Sequence, residues 1–177
     1  KGQDYLKTHD GRKIRVDNSS SGQQETLPLT LILKWMPLIS DGEQTIYIEE
    51  PETHLFPTAQ RYIIELIATV FNYSLVSLSP LQFLITTHSP YMLTAINNLI
   101  QAGKLDSELR GTDKIERLHK IVPSERMLSP TDLAVYSLEK EGCKNIISSD
   151  TGLIEANIID EVSDQLAIQF DKLLDIE

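Results

Sequence analysis

Two short apolar runs of β-forming residues, Thr45-Ile46-Tyr47-Ile48-Glu49 and Gln82-Phe83-Leu84-Ile85-Thr86-Thr87, bracket a stretch with helical periodicity. This spacing constrains the fold more than any other feature of the chain. Strands separated by a long crossover helix pair side by side and parallel, because a hairpin needs only a tight turn. Between them Tyr62, Ile63, Leu66, Ile67 and Val70 recur at helical spacing. Pro57 opens that helix, where its missing N–H is harmless. Short continuous apolar runs of this kind are expected to be buried on both faces. Ser89-Pro90 then supplies an N-cap and first-turn signal for a helix reaching to about residue 103. The result is a strand–helix–strand–helix unit with a right-handed crossover. The expected class is α/β, with a mainly parallel sheet flanked by helices.

Either side of this unit the signals are more local. Asp4–Lys7 and Lys13–Val16 flank His9-Asp10-Gly11-Arg12, where Asp-Gly suits the tight turn of a hairpin. A polar run, Asn18-Ser19-Ser20-Ser21-Gly22, leads into a helix expected over about residues 24–39, with Ser21 and Gln24 at capping-box spacing. Pro28 is tolerated near its first turn and Pro37 predicts a kink or fraying near its end. Trp35 is expected in the core and Cys143 to be buried or half-buried. Residues 115–122 read as a strand. Residues 133–139 and 145–149 read as a hairpin across Lys140-Glu141-Gly142, and residues 155–174 as an amphipathic terminal helix.

Composition removes several classes. No apolar run approaches the roughly 18 residues of a membrane span, and the N-terminal segment has no apolar core of a signal peptide. A single cysteine cannot form an intrachain disulfide, which suits a reducing, cytoplasmic setting. The net charge is −10, and from Glu139 onward ten acids face three lysines. Nucleic-acid surfaces draw their phosphate contacts from clustered Lys and Arg, so this chain is not expected to be one. The chain starts at Lys1 rather than Met, which carries the expectation of a longer gene product.

Three places carry chemistry. Glu49 and Glu50 end the first strand, and in open α/β sheets ligands gather at the carboxyl ends of strands. One acid there can hold Mg²⁺ and its neighbour can polarise water; the plain alternative is a pair of solvated acids capping a strand. His88 ends the second strand on the same sheet edge. It can donate to a phosphate oxygen, or simply cap the following helix. Ser20-Ser21-Gly22-Gln23-Gln24-Glu25 opens a helix whose backbone N–H groups form an anion site, or an ordinary N-cap.

Taken in order, the three resemble the signature motif, Walker B and switch histidine of an ABC-type ATPase head. Ser20–Gln24 is similar to the Leu-Ser-Gly-Gly-Gln pattern, with Ser21 on its serine, Gly22 on its first glycine and Gln23 in place of the second. A register one residue away is the alternative. Glu49-Glu50-Pro51-Glu52-Thr53-His54-Leu55-Phe56-Pro57 and His88-Ser89-Pro90 resemble the soluble RecF-like and overcoming-lysogenisation-defect ATPases. The resemblance covers roughly residues 1–105; residues 106–177 form a C-terminal extension that is only loosely similar.

The resemblance implies a P-loop NTPase lobe that binds ATP and Mg²⁺ between two heads arranged head to tail. Glu49 would hold the metal, where the family usually has Asp. Glu50 would act on the attacking water and His88 would contact the γ-phosphate. Ser21, Gly22, Gln23 and Gln24 would close over the nucleotide of a second copy, and His54 would lie near the dimer seam or serve structure alone. Such ATPases commonly act in DNA repair or phage defence, often with a nuclease partner. The sequence holds no Gly-x-x-x-x-Gly-Lys-[Ser/Thr] loop, and this family places that loop before the signature. The missing half is therefore expected upstream, and the 177 residues alone are expected to be inactive, with an open sheet edge prone to pairing. Two other functions stand beside the ATPase: a nucleotide-gated clamp or sensor with little hydrolysis, and a non-enzymatic interaction domain retaining the sheet.

Overall fold

The computed structural model describes residues 3–39, 42–77, 79–155 and 168–174. The chain forms two compact units, Lys1–Thr86 and Thr87–Glu177. The expected division near residue 105 falls within a helix of the second unit.

In the first unit, β1 (Tyr5–Lys7) and β2 (Lys13–Arg15) form the antiparallel hairpin, with Leu6 opposite Ile14. Gly11 takes φ +84° in its turn. A short 3-10 turn, Val16–Asn18, leads to α1 (Ser21–Ile39). The helix starts three residues before the expected position. Its capping box is shifted by one: Gln23 N–H donates to Ser20 Oγ at 3.3 Å and Ser20 N–H to Gln23 Oε1 at 3.2 Å. Ser20, not Ser21, is therefore the cap. Pro28 and Pro37 both lie inside the helix.

β3 (Gln44–Glu49), α2 (Pro57–Leu75) and β4 (Leu81–Thr86) follow. β3 and β4 pair in parallel, from Gln44 opposite Leu81 to Glu49 opposite Thr86. They are the one parallel pair among the described residues; the other two pairs are antiparallel. The core of this unit joins Leu33 of α1, Ile48 of β3, Ile63, Ile67 and Val70 of α2, and Leu81 of β4. Ile46, Phe83 and Ile85 pack against it. Both helices thus bury one face of the strand pair. The expectation of strands buried on both faces is corrected, since Tyr47 is 73% exposed and Leu84 49%. Trp35 is also corrected: it lies on the outer side of α1, 55% exposed.

The second unit starts with α3 (Pro90–Glu108), longer than expected, and continues with α4 (Ile115–Ile121). Residues 115–122 were expected as a strand; they form a helix because Ile115, Leu118 and Val122 then bring one side onto Ala102 and Leu105 of α3. His119 Nε2 sits 2.6 Å from Asp106 Oδ1 across this contact. β5 (Tyr136–Glu139) and β6 (Gly142–Asn145) form a hairpin, but its second strand lies at 142–145 where 145–149 was expected, because the turn is confined to Lys140-Glu141. Gly142 opens β6 instead of belonging to the turn, and Cys143 is exposed instead of buried. Asn97 of α3 grips the chain at Ile154, its side chain donating to the carbonyl at 2.8 Å and accepting the N–H at 2.7 Å. The expected terminal helix lies largely outside the described residues; of its span, 168–174 is helical.

Candidate functional site

The parallel pairing places Glu49 opposite Thr86, at the carboxyl ends of both strands. Glu49 is exposed and Glu50 half-buried. Glu50 N–H continues the ladder by one step, donating to the Thr86 carbonyl at 3.1 Å. There the strand stops, because Glu50 takes φ +41°. A left-handed backbone is costly for a residue with a Cβ, roughly 1 kcal/mol or more, and persists where its surroundings hold it. The following turn does so: Thr53 N–H donates to the Glu50 carbonyl at 3.0 Å, and Thr53 Oγ1 lies 3.5 Å from Glu50 Oε2. Gln60, buried at the start of α2, ties down the far end by donating to the Leu55 carbonyl at 2.9 Å.

The turn that opens α1 sits against this loop. Gly22 is buried, and a Cβ there would lie 2.6 Å from the His54 carbonyl oxygen and 3.1 Å from Leu55 Cδ2. Only a glycine permits so close an approach. His54 itself takes φ +59°, and its Nδ1 lies 3.0 and 3.1 Å from the two carboxylate oxygens of Glu25. The helix-opening run Ser20–Glu25 and the acidic end of β3 are therefore brought together within one unit. Glu25 and Thr53 carry part of this junction, a role that the sequence assigns to neither although both stand inside the motifs. Thr53 stood inside a motif whose acids drew attention; Glu25 pairs with a residue 29 positions away, which no local pattern reports.

The remaining expected site residues take distinct places. Ser21 is exposed at the first position of α1. Gln23 is engaged in the capping box, and Gln24 Nε2 donates to the Ser19 carbonyl at 3.0 Å. Both glutamines thus brace the turn. His88 is exposed and follows β4 by two residues, belonging to the second unit. Ser89 N–H donates to Thr87 Oγ1 at 3.0 Å, so the backbone turns around His88 before Ser89 starts α3.

A cavity of about 610 Å³ runs along α1 and β3, with Leu29, Ile32 and Tyr47 along its sides and Glu49 and Glu50 at one end. Among the described residues, no three His, Cys, Asp or Glu side chains group as a self-sufficient metal site. Mg²⁺ does not ask for one: it takes one or two carboxylates and completes its octahedron with phosphate oxygens and water. Two adjacent carboxylates at a strand terminus fit that donor set.

A family model described as "AAA ATPase domain" matches residues 1–93, just over half of the 177 residues. The chain belongs to this family. The matched span of the AAA ATPase domain contains the α1 turn, the acidic end of β3 and His88. No solved structure matches the chain. No described helix of this AAA ATPase domain protein is long and apolar enough to cross a membrane.

Proposed function

We propose that this chain supplies the signature turn, Walker B acids and switch histidine of an ATP-hydrolysing head of the soluble RecF-like and overcoming-lysogenisation-defect kind. The observation that carries the reading is the pair Glu49-Glu50 at the carboxyl end of a parallel strand, with Glu50 turned by its left-handed backbone at the end of the ladder. Membership of the AAA ATPase domain family supports ATP as the nucleotide.

When bound, Mg²⁺ would neutralise charge on the nucleotide's phosphates. Glu49, exposed at the strand end, would hold it. Glu50 accepts a proton from the attacking water, with Thr53 limiting the swing of its carboxylate. His88 contributes a hydrogen bond to the γ-phosphate. Ser21, exposed at the first position of α1, presents the helix start, including its backbone dipole, to the nucleotide of a second copy arranged head to tail, while Gly22 packs on the loop leaving β3 and Gln23 and Gln24 hold the turn in shape. A phosphate-binding loop outside these residues completes the site. ATP closes the dimer and hydrolysis releases it, driving a DNA-related or phage-defence activity carried by other regions or by a nuclease partner.

The test is Mg-ATP hydrolysis by the protein containing this chain together with a phosphate-binding loop, wild type against Glu50→Gln, with particle mass followed by light scattering. Turnover lower by about 100-fold or more in the variant, with an ATP-trapped dimer, is the expected result. Equal, slow hydrolysis in both forms points to a clamp or sensor. Absence of Mg-ATP binding points to an interaction domain.

A further inference from the structure

We propose that Glu25 and His54 are positioning residues that lock the turn opening α1 to the loop leaving β3, so that Glu50 and the signature turn move as one piece. The inference rests on the ATPase reading for its consequence, but its structural content stands on three contacts. The Gly22 backbone lies so close to the His54 carbonyl that a Cβ would meet it at 2.6 Å. His54 Nδ1 lies within 3.1 Å of both Glu25 carboxylate oxygens. The loop between has two left-handed non-glycine residues, Glu50 at φ +41° and His54 at φ +59°.

The two left-handed residues bracket Pro51-Glu52-Thr53, and backbone bonds from Thr53 N–H to the Glu50 carbonyl and from Leu55 N–H to the Glu52 carbonyl, both 3.0 Å, tie the loop across. Thr53 connects the bracket to the Glu50 carboxylate. The His54–Glu25 pair is about half exposed on both sides, and pairs of that kind contribute little to stability. Its value is directional. The bifurcated contact of Nδ1 with both carboxylate oxygens orients the imidazole, and the backbone of the same residue is what Gly22 packs on. If Ser21 faces a nucleotide held by a second copy, closure there is transmitted through Gly22 and His54 to the carboxylate of Glu50. That gives one head a direct means of aligning its own general base when it engages its neighbour's nucleotide.

The experiment has two arms. In the 177-residue chain, amide hydrogen exchange is followed in Glu25→Gln and His54→Gln. Glu25→Gln is expected to speed exchange at residues 53–55, and His54→Gln at residues 22–26, each by about threefold or more, as local opening spreads across the contact. Changes confined to the mutated segment overturn the lock. In the hydrolysing protein, each single variant is expected to lower kcat roughly tenfold with KM for Mg-ATP within about twofold, because a displaced base affects chemistry more than binding. The double variant is expected to be no slower than either single one. Losses that multiply, or that appear in KM alone, overturn the positioning role. The exchange arm needs no nucleotide, so reciprocal exchange in a protein without hydrolysis would defeat the ATPase reading and uphold the lock.

Discussion

Ser74, wholly buried near the end of α2, accepts the backbone N–H of Leu81 at 3.0 Å and donates to the Phe71 carbonyl at 2.7 Å. One hydroxyl therefore joins the last turn of the crossover helix to the first residue of β4. Leu81 is itself buried, so no water can replace the lost acceptor. Ser74→Ala is expected to cost about 1–3 kcal/mol, the penalty for an unsatisfied buried donor. Urea unfolding followed by circular dichroism measures it; a loss under about 0.5 kcal/mol would contradict the contact's role.

Gly103 sets two opposing effects against each other. Replacing a mid-helix glycine by alanine ordinarily stabilises by about 1 kcal/mol. Here a Cβ would lie 2.2 Å from the Leu128 carbonyl oxygen, on a segment whose N–H already donates to Leu99 of α3 at 3.2 Å. The segment must move to admit a methyl group, at a cost of about 1–3 kcal/mol or more. The steric term wins, and Gly103→Ala is expected to lower Tm. A raised Tm would show that residues 124–128 lift away readily.

Leu33 and Trp35 stand two residues apart on α1 with opposite fates. Leu33 is fully buried in the core cluster with Ile48, Ile63, Ile67, Val70 and Leu81, so Leu33→Ala is expected to cost about 2–5 kcal/mol. Trp35 is expected to be the reverse case, readily quenched by acrylamide and red-shifted in emission. It is the single tryptophan, which makes the spectrum unambiguous. A blue-shifted, protected Trp35 would mean that another surface covers this side of α1.

That helix also shows why some of the structure was legible in the sequence and some not. The strand–helix–strand unit was readable because Ile63, Ile67 and Val70 line one face of α2 while the flanking runs are too short for helices. α1 is apolar on several sides: Leu31, Ile32, Leu38 and Ile39 are all exposed, so composition could not say which side faces inward. The same ambiguity hid the exposed face of β3, where Tyr47 looks like core by residue type. Residues 115–122 were ambiguous for lack of length, and only packing on α3 decides for a helix. In the candidate site, Glu49, Glu50 and Gly22 were visible as motif members. Their union depends on His54 and Glu25, far apart in sequence, and on left-handed backbone at residues that local pattern does not mark.

His88 offers the sharpest separation of function from fold. Its side chain is exposed, while Ser89 next to it is buried and donates its N–H to Thr87 Oγ1 at 3.0 Å. The Ser89–Thr87 hydrogen bond thus shapes the backbone around His88. Because the His88 side chain is exposed, His88→Ala is expected to change stability by no more than an ordinary surface substitution, about 0.5 kcal/mol. If the imidazole donates to a γ-phosphate, the same change lowers turnover by about 100-fold, as loss of one transition-state donor does elsewhere. Thr87→Val keeps the β-branched shape and removes the acceptor for Ser89, so it is expected to act through the placing of His88, with a smaller loss of roughly tenfold in kcat. Melting curves and steady-state hydrolysis on the two variants decide the matter. A His88→Ala protein that melts normally and hydrolyses normally would remove His88 from the site and leave Thr87 as the cap of a turn.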